Sequence, residues 1–176
     1  MKVKDVDKCI KNYNNLFDSE NKIDATYSNP WNPLKGEDIL LDQNYQCGIY
    51  IYSECKESDW NIPLVENKNE IWYIGKSLGS IRARIWSHIS INSKDQKEGD
   101  PLFKNHRWTN EPNVMGTAIS NAISTGDFNV YAIPIESKKN QFPPEIVETY
   151  LLCCFYKSLG RLPILNSIIS QYKPKR

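Results

Sequence analysis

A chain of 176 residues with 40% hydrophobic content is long enough for one domain with its own core. No stretch approaches the roughly 18 apolar residues of a membrane helix, and residues 1–5 lack the apolar core of a signal peptide, so we expect a cytoplasmic protein without membrane contact. The net charge is +1, but residues 71–110 alone carry +4, which suits an anionic partner as well as an ordinary solvated surface.

Residues 1–44 are predicted to form a helix followed by a wrapping segment. Apolar residues recur at three- and four-residue spacings between Lys and Asp: Val3, Val6, Ile10, Tyr13 and Phe17. That periodicity over residues 3–17 is typical of an amphipathic helix, which we expect to dock on the main domain at residues 45–170. The polar segment that follows carries turn signals, and Trp31 is expected to anchor it by packing.

Two short runs rich in Ile, Tyr and Trp predict paired strands at residues 47–53 and 71–76. The polar stretch between them is too long for a tight turn and is expected to be an insertion available to DNA or a second subunit. A helix is predicted for residues 81–90, with one apolar face: Ile81, Ile85, Trp86 and Ile89. Arg84 and His88 are four residues apart and hence neighbours on another face.

The rest of the chain predicts loops, a short helix at residues 114–124, a third strand at residues 128–135 and a last helix. Four basic or aromatic residues are candidates for DNA contacts: Arg82 on the second helix, and Lys104, Arg107 and Trp108 before the short helix. The alternative for the last three, and the commoner case, is a surface loop with one anchoring Trp. Pro134 makes the third strand an edge strand or ends it. Pro144 and Gly160 are suited to begin and end the last helix, and residues 171–176 are expected to be a tail.

The last helix is strongly apolar, so the acid near its middle, Glu148, is expected to have a partner. Hydrolysis of a phosphodiester needs an activated water and groups that neutralise the phosphate. Glu148 offers an oxygen ligand for one Mg²⁺, and Arg84 could hold the phosphate. A tyrosine such as Tyr50 or Tyr73 can act when a cation lowers its pKa. Each residue taken alone is more often structural, and Glu148 could pair with Lys157 or Arg161.

The order of these residues resembles a known family. Gly48-Ile49-Tyr50 followed by Tyr73-Ile74-Gly75-Lys76 is similar to the paired tripeptides of the GIY-YIG nucleases. Arg84 matches the arginine of the next helix in that family, and His88 matches a histidine of its restriction-enzyme branch. The helix around Glu148 resembles the one with the metal-binding glutamate, and Pro163-Ile164-Leu165-Asn166 resembles the closing motif. The resemblance covers about residues 45–169.

The resemblance implies an α/β (α+β) fold with a small three-stranded antiparallel sheet flanked by helices, here with an N-terminal helical extension. If Tyr50 and Tyr73 point to the same face of the hairpin as the first turns of the next helix, the phenols, the cations and the histidine converge on one concave, solvent-reachable surface. The catalytic set would be Tyr50, Tyr73, Lys76, Arg84, His88, Glu148 and Asn166. In that set Tyr50 is a general base or positions water, Glu148 binds one Mg²⁺ or Mn²⁺ ion, and Asn166 orients the site. Gly48 and Gly75 would be structural.

A self-contained chain with these motifs looks most like a type II restriction endonuclease that cuts double-stranded DNA as a homodimer. The alternatives are a low-specificity phage or defence nuclease, or a catalytically inactive DNA-binding module with the same fold. A structural zinc site is a third reading, drawing on Cys47, Cys55, His88 or His106, which the lack of a Cys-x-x-Cys pair disfavours. The five cysteines share no repeated spacing, so we expect reduced thiols.

Overall fold

The computed structural model describes residues 1–16, 22–23, 26–32, 47–55, 62–89, 127–135 and 144–166, with the backbone alone for residues 86–89. These residues form six elements: α1 (Asp5–Asn14), β1 (Gly48–Glu54), β2 (Ile71–Ser77), α2 (Ile81–Ile89), β3 (Phe128–Pro134) and α3 (Pro144–Leu159). The predicted strands and the helices α2 and α3 are confirmed to within one residue at each end. The helix predicted for residues 114–124 lies outside the described residues.

The three strands form one antiparallel sheet in the order β2-β1-β3. In the central strand, Tyr50 lies opposite Gly75 of β2 and Ala132 of β3. β3 is an outer strand and ends at Pro134, as the missing N–H of proline predicts. The predicted fold class, a small antiparallel sheet with flanking helices and an N-terminal helix, is confirmed.

One face of the sheet, which we call the aliphatic face, packs against α1 and α3. It carries the buried side chains Ile49, Ile51, Ile74, Tyr131 and Ile133. Val6 and Ile10 from α1 and Val147 and Leu151 from α3 complete this core, and all four are fully buried. The N-terminal helix therefore docks on the sheet as expected and shares its main core.

The opposite face, which we call the tyrosine face, carries Tyr50, Tyr52 and Tyr73. Ile81 and Ile85 of α2 cover these rings, together with Trp31 and Leu165. Because β1 alternates Ile and Tyr, successive side chains enter different faces of the sheet. Since helices cover both faces, six of the seven residues of β1 are buried.

The segment at residues 26–32 covers the outer edge of β3. Trp31 and Val130 exchange two main-chain hydrogen bonds, at 2.9 and 2.7 Å, and Ser28 N donates to Ala132 O at 2.9 Å. The Trp31 side chain is 2% exposed within the tyrosine-face cluster. This part of the wrapping segment is thus anchored by packing, as predicted for Trp31.

The described part of the connection between β1 and β2, residues 62–70, packs on the domain. Leu64 and Asn67 are buried, and Asn67 Nδ2 donates a hydrogen bond to Tyr131 Oη at 2.6 Å. Val3 N donates to Asn69 O at 3.0 Å, which ties this connection to the N-terminus. Val65 and Glu66 of the same connection are exposed, so its expected role as an insertion available to DNA or a second subunit stays a prediction.

Candidate active site

Because Gly75 of β2 has no side chain, the rings of Tyr50 and Tyr73 can pack directly against the strand at this position. The ring centroids of Tyr50 and Tyr73 are 5.8 Å apart. A Cβ atom on Gly75 would lie 2.6 Å from Tyr50 Cζ and 2.5 Å from Tyr73 Cε1, so any side chain there would displace both rings. Gly48 is also required by its backbone, since its φ of 145° lies in a region that L side chains rarely adopt.

Tyr50 is a buried, neutral phenol in this structure. Its side chain is 0% exposed and that of Tyr73 only 7%, so the phenols do not line an open concave surface as the sequence suggests. Burial raises the pKa of Tyr50 well above its ordinary value, and the phenol of Tyr73 raises this pKa further, while the Arg84 guanidinium lowers it less than burial raises it. At neutral pH Tyr50 therefore keeps its proton, so it can donate a hydrogen bond but is unsuited to act as a base.

Arg84 is positioned by the start of α2. Ser80 Oγ accepts a hydrogen bond from Ala83 N at 3.1 Å, which is the N-cap interaction that begins a helix. With Ile81 and Ile85 packed against the sheet, Arg84 lies on an exposed side of the helix. Its guanidinium interacts electrostatically with Tyr50 and also with Glu148. Arg84 is thus a solvent-accessible cation near both a phenol and a carboxylate.

Glu148 meets Lys76, at the end of β2. Lys76 Nζ lies 3.4 Å from Glu148 Oε2 and 3.9 Å from Glu145 Oε1, and the Glu148 side chain is 19% exposed. Burial raises the pKa of Glu148, Lys76 and Arg84 lower it, and Glu145 raises it, with a net upward shift. Glu148 therefore has the partner expected of an acid on an apolar helix, although the partner is Lys76 and neither Lys157 nor Arg161.

The candidate residues lie on both faces of the sheet. Lys76 follows Ile74 by two residues and so belongs to the aliphatic face, where α3 supplies Glu148. Tyr50 and Tyr73 belong to the tyrosine face. Those predicted residues whose side chains are described therefore lie around the outer strand β2, and the Arg84 guanidinium lowers the pKa of one group on each face, Tyr50 and Glu148.

Asn166 binds the main chain of β2 between the two motif residues Tyr73 and Gly75. Its Nδ2 donates to Ile74 O at 2.7 Å, and its Oδ1 accepts from Ile74 N at 2.9 Å. The side chain thereby closes the free edge of the sheet at this point. Among the described contacts, Asn166 acts on β2 through the main chain of Ile74, and its role in orienting the site stays a prediction.

Of the remaining predicted residues, the structure describes the side chain of Arg82 but not those of His88, Lys104, Arg107 and Trp108. His88 is in the last turn of α2, one turn after Arg84, and only its backbone is described. Arg82 is half-buried on the same helix. The predicted DNA-contacting residues Lys104, Arg107 and Trp108 lie outside the described residues.

Among the described residues, the candidate ligand for a metal ion is the carboxylate of Glu148. Within them no group of three or more His, Cys, Asp or Glu side chains converges. Of the cysteines considered for zinc, Cys47 Sγ donates to Ile135 O at 2.8 Å and Cys55 is buried, and neither forms a disulfide. Glu148 would have to bind an ion as a single protein carboxylate, which suits Mg²⁺ because that ion keeps several waters and takes substrate phosphate oxygens.

Sequence reasoning missed Glu145, which the structure places beside Lys76 and Glu148. The signal was present, since residues three apart on a helix lie on one face and Glu145 begins the same turn. It also missed Tyr52, whose ring centroid is 5.7 Å from that of Tyr50 and 5.8 Å from that of Tyr73.

No protein-family model, curated protein or solved structure matches this chain. The resemblance to the GIY-YIG nucleases therefore rests on the motif residues of the sequence and stays a prediction. In the part of the chain that the structure describes, no helix has the length and apolar character needed to cross a membrane.

Proposed function

We propose that this protein is a metal-dependent DNA endonuclease that hydrolyses phosphodiester bonds, most similar to the type II restriction endonucleases of the GIY-YIG family. The observation that carries the proposal is the grouping around β2 of the two phenols, with ring centroids 5.8 Å apart, and of the Glu148 carboxylate, 3.4 Å from Lys76 Nζ. The Arg84 guanidinium of the next helix lowers the pKa of both Tyr50 and Glu148, which is consistent with a cation near both. A phosphate bound by Arg84 would thus have a phenol and a carboxylate as neighbours. This is the set of groups that phosphodiester hydrolysis needs.

The cations of the site would bind and neutralise the phosphate. Arg84 is exposed and permanently charged, and its fork of N–H groups matches two phosphate oxygens. Lys76 is 35% exposed and adds a second positive charge on the other side of β2. The net charge of +4 over residues 71–110 would favour approach of the DNA backbone.

Proton transfer would fall to His88. A water molecule would attack phosphorus while its proton passes to the imidazole, the bond from phosphorus to the ester oxygen would break, and that oxygen would leave as an alkoxide that takes a proton from solvent water. Tyr50 is unsuited to accept that proton because burial raises its pKa, so it would donate a hydrogen bond to a phosphate oxygen or to the water. Tyr73, which is next to it, would help to orient the same group.

Glu148 would hold one Mg²⁺ or Mn²⁺ ion. The residues fit such an ion as one half-buried carboxylate that keeps some solvent access, with the remaining ligands supplied by water and DNA. When bound, the ion would polarise a phosphoryl oxygen and lower the pKa of its water. Asn166 would keep Tyr73 and Gly75 in register by holding Ile74.

The partner would be double-stranded DNA. One such site cuts one strand, so a homodimer would cut both strands of a palindromic sequence. We place the protein in the cytoplasm, where its five free thiols would stay reduced.

A second candidate is a catalytically inactive DNA-binding module with the same fold. The burial of Tyr50 favours it, since a sealed phenol cannot touch a phosphate without some opening of the tyrosine face. The ion pair between Lys76 and Glu148 also favours it, because an ammonium competes with a metal ion for the carboxylate.

Digestion of a mapped plasmid and of unmodified phage DNA with Mg²⁺ or Mn²⁺ tests the proposal. We expect discrete fragments that disappear when EDTA removes the metal. A smear would indicate the low-specificity nuclease. Intact DNA under several metals and salt concentrations, from a protein that shifts the same DNA in a gel, would contradict the endonuclease and support the binding module.

A further inference from the structure

Lys76 lies between two carboxylates of α3. Its Nζ is 3.4 Å from Glu148 Oε2 and 3.9 Å from Glu145 Oε1. Both separations exceed the roughly 2.7–2.9 Å of a tight charge-assisted hydrogen bond. The ammonium is therefore shared between Glu145 and Glu148, and a small movement would bring it to either.

Glu145 has acceptor capacity that the described structure leaves unused. Its Oε2 is buried, and among the described residues it has no hydrogen-bond partner. A buried acceptor without a donor is costly, so an approaching ammonium group would be favoured at this oxygen. Glu145 is also in the first turn of α3, where the helix dipole stabilises its negative charge.

We propose that Glu145 is a positioning residue that takes the ammonium of Lys76 when a cation binds Glu148. This inference rests on the proposed function, in which Glu148 holds a metal ion. A metal ion on Glu148 would repel the Lys76 ammonium, and without a second partner the flexible lysine would turn into solvent. Glu145 lies on the same face of α3 and keeps Lys76 at the site, where its charge faces the phosphate.

The two glutamates of α3 have different roles in this proposal. Glu148 exchanges its lysine for a metal ion, while Glu145 holds the displaced lysine and binds no metal. Glu145 acts only through Lys76, so its contribution must vanish when Lys76 cannot carry a charge.

The test measures how fast an amine-acetylating reagent modifies Lys76, by peptide mass spectrometry without metal or DNA. The exposed Lys157 of α3 serves as the reference amine in each protein. Glu148→Gln removes the charge that a metal ion would neutralise, and the proteins compared are wild type, E145Q, E148Q and the double variant. Glu66→Gln, an exposed glutamate in the 62–70 connection, is the matched control.

We expect Lys76 in E148Q to react within about twofold of wild type, because Glu145 holds it. In the double variant it should react about fivefold faster or more, a change that an ordinary ion pair can produce. Equal acceleration in E148Q and in the double variant would overturn the inference, since Glu145 would then hold nothing. Thermal unfolding of each variant verifies that it is folded.

Adding Mn²⁺ to wild type and to E145Q repeats the comparison without changing residue 148. We expect Lys76 to become about fivefold more reactive in E145Q and to change little in wild type. If the metal-free series behaves as expected and Mn²⁺ changes neither protein, the proposed metal site is wrong and the hold of Glu145 on Lys76 stands. If the double variant reacts like wild type, the inference is wrong whether or not the protein cuts DNA.

Discussion

At the scale of single residues, burial decides which role a side chain can take. Tyr50 is fully buried, and its raised pKa makes it a donor and not a base. Glu148 keeps some exposure and has a cation beside it, and the proposed metal site requires it to exchange that cation for a metal ion. The role that a residue type suggests in the sequence therefore changes with the burial and the neighbouring charges of the side chain in the structure.

The pH dependence of cleavage tests the assignment of the proton acceptor. If His88 accepts the proton, the single-turnover rate should fall below a pH of about 6.5 and be nearly constant from about pH 7.5 to 9. The reason is that a neutral imidazole is the active form, while Tyr50 stays protonated throughout because its pKa is raised. A rate that keeps rising about tenfold per pH unit up to pH 9 would instead assign the proton to a phenol. His88→Ala should remove the acidic limb and most of the rate.

Gly75→Ala tests the close approach of the phenols to β2. The added methyl group would lie within 2.6 Å of both rings, so we expect a loss of about 1–3 kcal/mol in the free energy of unfolding and a strongly reduced cleavage rate. Gly79→Ala is the matched control, because nothing lies within 4 Å of a Cβ there. Urea unfolding and single-turnover cleavage measure the two effects. Equal stability of the two variants would contradict the packing described for Tyr50 and Tyr73.

At the scale of elements, the sequence predicted where the strands and helices begin and end better than it predicted which elements pack against each other. The alternation of Ile and Tyr in β1 is visible in the sequence, and it separates the aliphatic face from the tyrosine face. The sequence does not say which helix covers which face, because that depends on contacts distant along the chain. Lys76 and Glu148 are 72 positions apart, and their pairing follows from the packing of α3 on the aliphatic face.

The end of α1 is a second feature that depends on a contact distant along the chain and was not predicted from the sequence. Its apolar periodicity continues to Phe17, but the helix ends at Asn14. The Asn14 side chain binds both the N–H and the C=O of Ile23, each at 2.8 Å. An amide side chain that satisfies a distant main chain in this way leaves no periodic signal. Asn166 does the same for Ile74 of β2.

These two asparagines provide a matched pair of variants. Asn166→Ala and Asn14→Ala each remove two hydrogen bonds to main-chain groups, so each should cost about 1–3 kcal/mol in the free energy of unfolding. Only Asn166→Ala should also reduce cleavage by folded protein, because only Ile74 lies between Tyr73 and Gly75. Denaturant unfolding and single-turnover cleavage below the unfolding range measure both. Equal cleavage by the two variants would remove Asn166 from the site.

At the scale of the whole molecule, the sheet is a partition between two packed layers. Helices α1 and α3 cover the aliphatic face, and α2 with Trp31 and Leu165 covers the tyrosine face. The sequence predicted that the candidate residues would share one open surface. The structure instead divides those it describes between the two faces at the outer strand β2, where the charge of Arg84 lowers the pKa of both Tyr50 and Glu148.

The substitution Glu148→Gln should change how the stability of the folded protein depends on pH. Because the folded state raises the pKa of Glu148, this group contributes stability only when protonated, and that stability is lost as the pH rises through its folded pKa. The glutamine variant does not titrate there, so its thermal stability relative to wild type should increase as the pH rises from about 4 to 8.

Single-turnover cleavage by Glu148→Gln is the most direct test of the claim that this carboxylate and Arg84 serve one phosphate site. Wild type, E148Q and the control Glu66→Gln are compared on the same DNA at pH 8 with Mg²⁺, and DNA affinity is measured in parallel. We predict that E148Q loses about 10²- to 10³-fold in rate while it binds DNA within about twofold of wild type. Cleavage by E148Q at the rate of wild type and E66Q would contradict the account.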